Sequence, residues 1–126
     1  MLIASFNLNA MDKKGLAELC NKARDASITG DKAALLALYP ESARDFGNHK
    51  IFKKRFASRH KKRKNFPVND QNYKITYYKE SKPTRKYHFE TDKIYHLVLS
   101  YEKQNDQMGC NFAFDKQTQK YYLVSL

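Results

Sequence analysis

Residues 94–103 read Ile94-Tyr95-His96-Leu97-Val98-Leu99-Ser100-Tyr101-Glu102-Lys103. Successive side chains of an extended chain point to opposite sides. Tyr95, Leu97, Leu99 and Tyr101 therefore share one side, and His96, Val98, Ser100 and Glu102 the other. The stretch predicts a strand with one apolar face, built from the aromatic and branched residues that fit a pleated surface. Working outward, Tyr73, Ile75 and Tyr77 alternate with Lys74 and Thr76, and Arg85 to Thr91 predicts a shorter strand carrying Tyr87 and Phe89. Phe112 and Phe114 alternate with Asn111, Ala113 and Asp115, and Lys120 to Leu126 closes the series. Turns are predicted at Ser81 to Thr84, Gln104 to Gly109 and Lys116 to Gln119. Strands of period two with short connections predict an antiparallel meander.

The chain before this region has a different period. Leu16, Leu19, Cys20, Ala23 and Ala26 are spaced by three and four, which predicts an amphipathic helix capped by Asp12. Asp31 is placed to cap a second helix carrying Ala34, Leu35, Leu38 and Tyr39, and Pro40 ends it. A third helix is expected from about Ser42 to Lys64, with Gly47-Asn48 the point where it could be interrupted, and Asn65-Phe66-Pro67 stops it. Phe52 and Phe56 form its narrow apolar stripe, suited to docking the helix on the sheet.

Helices first and strands later predict one α+β domain over residues 1–126, with N-terminal helices packed on a curved antiparallel sheet. Three stretches carry a family likeness: Gly30-Asp31-Lys32-Ala33-Ala34-Leu35-Leu36-Ala37-Leu38-Tyr39-Pro40, the strand Tyr95 to Tyr101, and Phe112-Ala113-Phe114-Asp115 followed by Lys120-Tyr121-Tyr122-Leu123-Val124. Together they resemble the nuclear transport factor 2-like superfamily, the cystatin-like cone that includes the SnoaL-like proteins. In the last hairpin Gln119 stands where that pattern usually has Gly, and Tyr122 where it has Trp. The resemblance implies a cone with a pocket between helices and sheet. It implies no single activity, because the fold hosts enzymes, binding proteins and scaffolds.

Composition fits a globular chain, with 41% hydrophobic and 29% charged residues. No apolar run approaches the ~20 residues that span a bilayer, so no membrane partner is expected. Met1 to Phe6 is apolar but short and lacks a preceding basic residue, a poor leader; an exported chain trimmed of its leader reads the same way. Cys20 and Cys110 are the two cysteines. A single bridge would need the fold to bring them together, and reduced thiols in a cytoplasmic setting are the simpler expectation. Cys20 lies on the apolar helix stripe and reads as core rather than as a nucleophile. The histidines stand at 49, 60, 88 and 96 without metal-ligand spacing, so no metal and no cofactor are expected. No nucleophile elbow or phosphate-binding glycine loop occurs, and no catalytic residues are assigned.

Charge is the most local feature. The chain carries a formal +11, and nine of the fifteen residues from Lys50 to Lys64 are basic with none acidic. Lys53, Lys54, Arg55, Arg59, Lys61, Lys62, Arg63 and Lys64 are the candidate anion-binding set, toward a nucleic acid or an acidic protein. Phosphate contacts of this kind displace counterions and weaken steeply with salt. A solvated helix face gives the same run. Phe52, Phe56 and Phe66 interleave with the charges and could stack on unpaired bases, but no recognised nucleic-acid module accompanies them.

The expected function is a non-enzymatic binding module that uses this basic segment. The alternative is a small-molecule pocket protein or SnoaL-like enzyme, with the segment only a solvated rim. Tyr39, Asp45, His49 and Tyr101 are the candidate pocket residues for a small ligand; Asp45 and His49, four apart, would meet on one helix face. Val98, Tyr78 and Tyr121, on the polar-looking strand faces, are either the centre of a homodimer formed through the sheet or scattered exposed apolar residues.

Overall fold

In a computed structural model, residues 12–126 are described. Met1 to Phe6, read above as a poor leader, lies outside them.

Helix α1 (Lys13–Thr29) begins where Asp12 accepts the Gly15 amide at 2.9 Å. It ends at Gly30, whose φ of 75° lets the chain turn out of the helix. A side chain at that glycine would also strike the His60 ring, 3.0 Å from an added Cβ. Asp31 caps the short α2 (Lys32–Leu36) through the Ala34 amide. Pro40 opens a 3₁₀ segment, Glu41–Asn48. His49 is extended, with ψ 140°, and α3 (Lys50–Arg63) starts after it. The expected third helix is thus two pieces, broken one residue after Gly47-Asn48. The break overturns the Asp45–His49 pairing, which needed a continuous helix across both residues.

The strands are β1 (Lys74–Ser81), β2 (Ile94–Tyr101), β3 (Asp106–Asp115) and β4 (Lys120–Ser125). They form an antiparallel sheet in the order β1-β2-β3-β4, the meander that the alternation predicts. Three boundaries differ. β2 ends at Tyr101 rather than at Lys103, because Glu102–Gln104 turns as a 3₁₀ segment. Arg85 to Thr91 is not a strand, because β1 pairs directly with β2 and leaves this stretch as their connection. Its Tyr87 and Phe89 serve as cover instead, and Phe89 meets Tyr122 edge-on at 6.0 Å. The turn after β2 is also tighter than expected. Asn105 takes the left-handed conformation at φ 50°, so Asp106 to Gly109 already belong to β3.

The helices cover the face made by Leu97, Leu99, Tyr101, Met108, Cys110, Phe112 and Leu123, against Leu16, Ala17, Cys20, Ala23 and Leu35. Cys20 and Cys110 are buried there and bonded to each other, tying α1 to β3. This overturns the expectation of reduced thiols and removes the ground for a cytoplasmic setting. The spacing of 90 residues hid the contact, which only the packing of α1 across the sheet creates. Among the described residues no helix is long and apolar enough to cross a membrane.

Tyr78 sits opposite Leu97, and Tyr121 opposite Phe114; both pack against the core. Of the three residues read as a dimer centre or as scattered exposed residues, Val98 alone remains on the outer face, beside Tyr77 and Gly109. A β-bulge between Ile75 and Tyr77 shifts the alternation in β1 and explains the reversal for Tyr78.

Candidate functional site

The backbone of β4 sets up the site. Among the described residues no further strand pairs with its outer edge, and the Leu123 amide donates instead to the Leu38 carbonyl at 2.8 Å. This bond brings the end of α2, the 3₁₀ segment and α3 alongside the last strand. Between them lies a cleft of about 580 Å³. One wall is aromatic: Tyr39 meets Phe46 edge-on at 5.1 Å, Phe46 meets Phe52 at 4.7 Å, and Phe52 stacks on buried Phe56 at 6.3 Å. The other boundary is Val124, Ser125 and Leu126.

Cations rim it. Lys50, Arg55 and Arg59 of α3 line the cleft together with His49, and Arg85 reaches it from the β1–β2 connection. Phe52, Arg55 and Arg59 are spaced three and four apart, so one helix face presents an aromatic ring and two guanidiniums to the same space. Among the described residues, no acidic side chain lines the cleft. Among the described residues, no carboxylate lies within ion-pair distance of Arg55, Arg59 or Arg85. Burial lowers the Arg59 guanidinium from its usual value, partly offset by Tyr39, with Arg63 and Arg55 adding repulsion. Arginine remains cationic even so. Burial also pushes the Tyr39 hydroxyl up to about 12, with Arg59 opposing the shift. Tyr39 therefore keeps its proton at neutral pH and can donate it to an anion.

Part of the basic set is engaged inside the fold. Asp106 is buried at the start of β3, and its carboxylate accepts from Arg24 Nε at 3.0 Å and from Arg63 Nε at 3.0 Å. Arg63 further donates to the Gln107 carbonyl at 2.9 Å. Burial by itself would raise the Asp106 carboxyl; hydrogen bonds from Arg63 and Arg24 more than offset it and hold it below the ordinary carboxylate range. The Arg24 guanidinium lies 3.6 Å over the Tyr101 ring, with Phe66 on it at 5.3 Å.

The expected anion-binding set therefore divides. Arg55 and Arg59 face the cleft. Lys53, Lys54, Lys61 and Lys64 are exposed and outside its lining. Lys62 is exposed but reaches Asp106 at 3.8 Å. Arg63 leaves the set, because its charge is spent inside the fold. Of the expected pocket residues, Tyr39 and His49 line the cleft. Asp45 is exposed and outside the lining, and Tyr101 is buried on the far side of the core, donating to Asn21. Phe56 docks α3 as its spacing predicts, whereas Phe52 both packs on the core and faces the cleft. Phe46 and Arg85 were not singled out from sequence. Phe46 stands alone in a polar stretch, and the contribution of Arg85 depends on where its connection lies in space.

Among the described residues no group of three His, Cys, Asp or Glu is placed to hold a metal ion. Comparison of the chain with protein-family models, with curated proteins and with solved structures finds no match.

Proposed function

We propose that the cleft between α3 and β4 is a non-enzymatic binding site, in which α3 contacts an anionic partner and the partner's charge enters between the two elements. The observation that carries this reading is the meeting of Arg55, Arg59 and Arg85 on an aromatic wall with no carboxylate of the described residues within ion-pair distance. Arg59 is partly desolvated and repelled by Arg63 and Arg55, and an anion beside it relieves both costs. The cleft volume of about 580 Å³ falls within the usual range for small-ligand sites. An organic anion with an apolar body fits better than bare phosphate, since Phe46, Phe52 and Leu126 would otherwise face water. The likeness to the nuclear transport factor 2-like cone supports a working pocket between helices and sheet. It brings no catalytic motif to these residues.

A matched pair of probes tests the reading. The dye 1-anilinonaphthalene-8-sulfonate carries an anion on an apolar body; N-phenyl-1-naphthylamine is that body without charge. The sulfonate is expected to bind at least ~10-fold more tightly, as one charged hydrogen bond supplies about 1.5–3 kcal/mol. Arg59→Gln should remove most of that difference. Equal affinity for the two dyes, or a difference unchanged in Arg59→Gln, would overturn the reading. The exposed Lys53, Lys54, Lys61 and Lys64 favour a second, surface mode toward nucleic acid. In that mode oligothymidylate would bind with a steep salt dependence that Lys61→Gln and Lys64→Gln reduce while Arg59→Gln does not.

A further inference from the structure

A second constellation crosses the sheet on the face that the helices leave uncovered. Ser81 at the end of β1, His96 on β2, Asn111 on β3 and Ser125 on β4 form one hydrogen-bonded row. Ser81 Oγ lies 2.7 Å from His96 Nε2, and His96 Nδ1 lies against Asn111 Oδ1 at 2.5 Å. Asn111 Nδ2 in turn donates to Ser125 Oγ at 2.7 Å. The register explains the meeting: His96 pairs with Asn111 across β2–β3, and Ser81 is its diagonal neighbour on β1.

The row has a direction. Asn111 turns its amide nitrogen to Ser125, so its carbonyl oxygen faces the imidazole and can only accept. With Asn111 in this orientation, the neutral tautomer that satisfies both contacts carries its hydrogen on Nδ1. That leaves Nε2 with a free lone pair, 2.7 Å from the Ser81 hydroxyl. A serine hydroxyl, a histidine nitrogen able to take its proton, and a third group fixing the tautomer are the arrangement that activates serine for acyl transfer. A purely structural ladder would not need this polarity, and it would not need space in front of it. Here a groove of about 410 Å³ opens on the row. Gly109, two residues before Asn111, contributes to that space: a Cβ added there meets nothing closer than Val98 at 4.0 Å. Lys79 lines the same groove, opposite His96 in the register, and supplies a positive charge for a developing oxyanion.

We infer that Ser81, His96 and Asn111 form a nucleophilic site for acyl transfer from small carboxylic esters, separate from the anion-binding reading of the cleft. Ser81 Oγ attacks the ester carbonyl carbon and its proton passes to His96 Nε2. The C–O bond to the leaving group breaks, and His96 returns the proton to the departing alkoxide. Water then attacks the acyl-serine through the same nitrogen, releasing the carboxylic acid and restoring Ser81. Ser81 and His96 are the catalytic residues, and Asn111 is a positioning residue. Val98 and Tyr77 border the groove and suit a short apolar acyl or alcohol part.

The full chain treated with diisopropyl fluorophosphate tests this. Attack by Ser81 forms the Oγ–P bond and expels fluoride, and peptide mass spectrometry locates the adduct. Labelling is expected on Ser81 in the folded chain and absent after denaturation. His96→Gln, checked by circular dichroism for an intact fold, should slow it at least ~100-fold, the lower range of general-base assistance. Asn111→Ala should slow it less. Asn111→Asp should move the midpoint of the rate–pH profile upward, because a carboxylate beside the imidazole favours its charged form. A purely structural ladder would not produce that movement. Absence of an adduct on Ser81, or the same labelling rate in His96→Gln, overturns the inference.

Discussion

Gln119 occupies the left-handed region at φ 62°, where a side chain crowds the following carbonyl. The turn from β3 to β4 holds it there: the Gln119 amide donates to the Asp115 carbonyl at 2.8 Å, and its side chain donates to the Lys116 carbonyl. Glycine takes this conformation without the steric cost. Gln119→Gly is therefore expected to raise stability by about 0.5–1 kcal/mol, net of the extra freedom glycine has when unfolded. A rise in the urea midpoint with an unchanged slope would bear this out; a fall would show that the side-chain bond outweighs the strain. In the sequence Gln119 stood out only through the family resemblance, as a residue in place of a usual Gly, and not as a strained position. The inward turn of Asp106 was not visible, since in sequence it is one polar residue among Gln104, Asn105 and Gln107. Its role becomes apparent only when Arg24, 82 positions away, and Arg63 converge on it.

At the scale of the element, α3 is a helix that its own residues would not dock strongly. Phe56 is its buried apolar anchor, half-buried Phe52 packs beside it, and polar bonds complete the attachment. His60 bonds to the Ser27 carbonyl at 3.0 Å, and Arg63 reaches the Asp106 carboxylate. Removing that carboxylate strands two buried guanidiniums, so Asp106→Asn is expected to cost about 3–5 kcal/mol at pH 7. The pH dependence follows from the lowered carboxyl. Its stabilising share is fully present above the ordinary value of 3.8 and is lost as pH falls through the lower folded value. Urea unfolding of both proteins at pH 7 and near pH 2 should show the gap between them shrinking in acid. A gap that stays constant would mean that the charge on Asp106 contributes nothing. The same bonding explains why the basic run was only partly legible as a binding surface. The sequence identifies which residues are cationic, but internal partners decide which of them are free. Arg55 and Arg59 share the cleft because of their spacing on one helix face, a pattern that could be read from the chain. Arg85 comes to them from a stretch that alternates like a strand and is used as cover.

Over the whole molecule, two layers are fastened at points far apart in sequence, and the covalent one is the Cys20–Cys110 bond between α1 and β3. Period and capping predicted the layers themselves: Asp12 and Asp31 start their helices, and the alternation of Leu97, Leu99 and Tyr101 faces the helical layer. What joins the layers is long-range, and neither composition nor periodicity encodes it. A bridge spanning 90 residues removes a large share of the unfolded chain's freedom. The loop-entropy relation gives about 4–5 kcal/mol for a loop of that length. That is comparable with the whole net stability of a small domain. The cleft depends on the same fastening, because α1 is the layer against which α3 packs through Ser27 and His60. Reduction is therefore expected to act on both properties. Thermal melts with and without a phosphine reductant should differ by at least 10 °C, given the several degrees that each kcal/mol moves a domain of this size. The affinity of the sulfonate dye should fall in the same reduced sample at a temperature where the oxidised protein is fully folded. If the melt is unchanged by complete reduction, confirmed by thiol titration, the bond is not what holds the helical layer to the sheet. Cohesion would then rest on the apolar contacts around Leu16, Leu99 and Phe112 and on the Asp106 cluster alone.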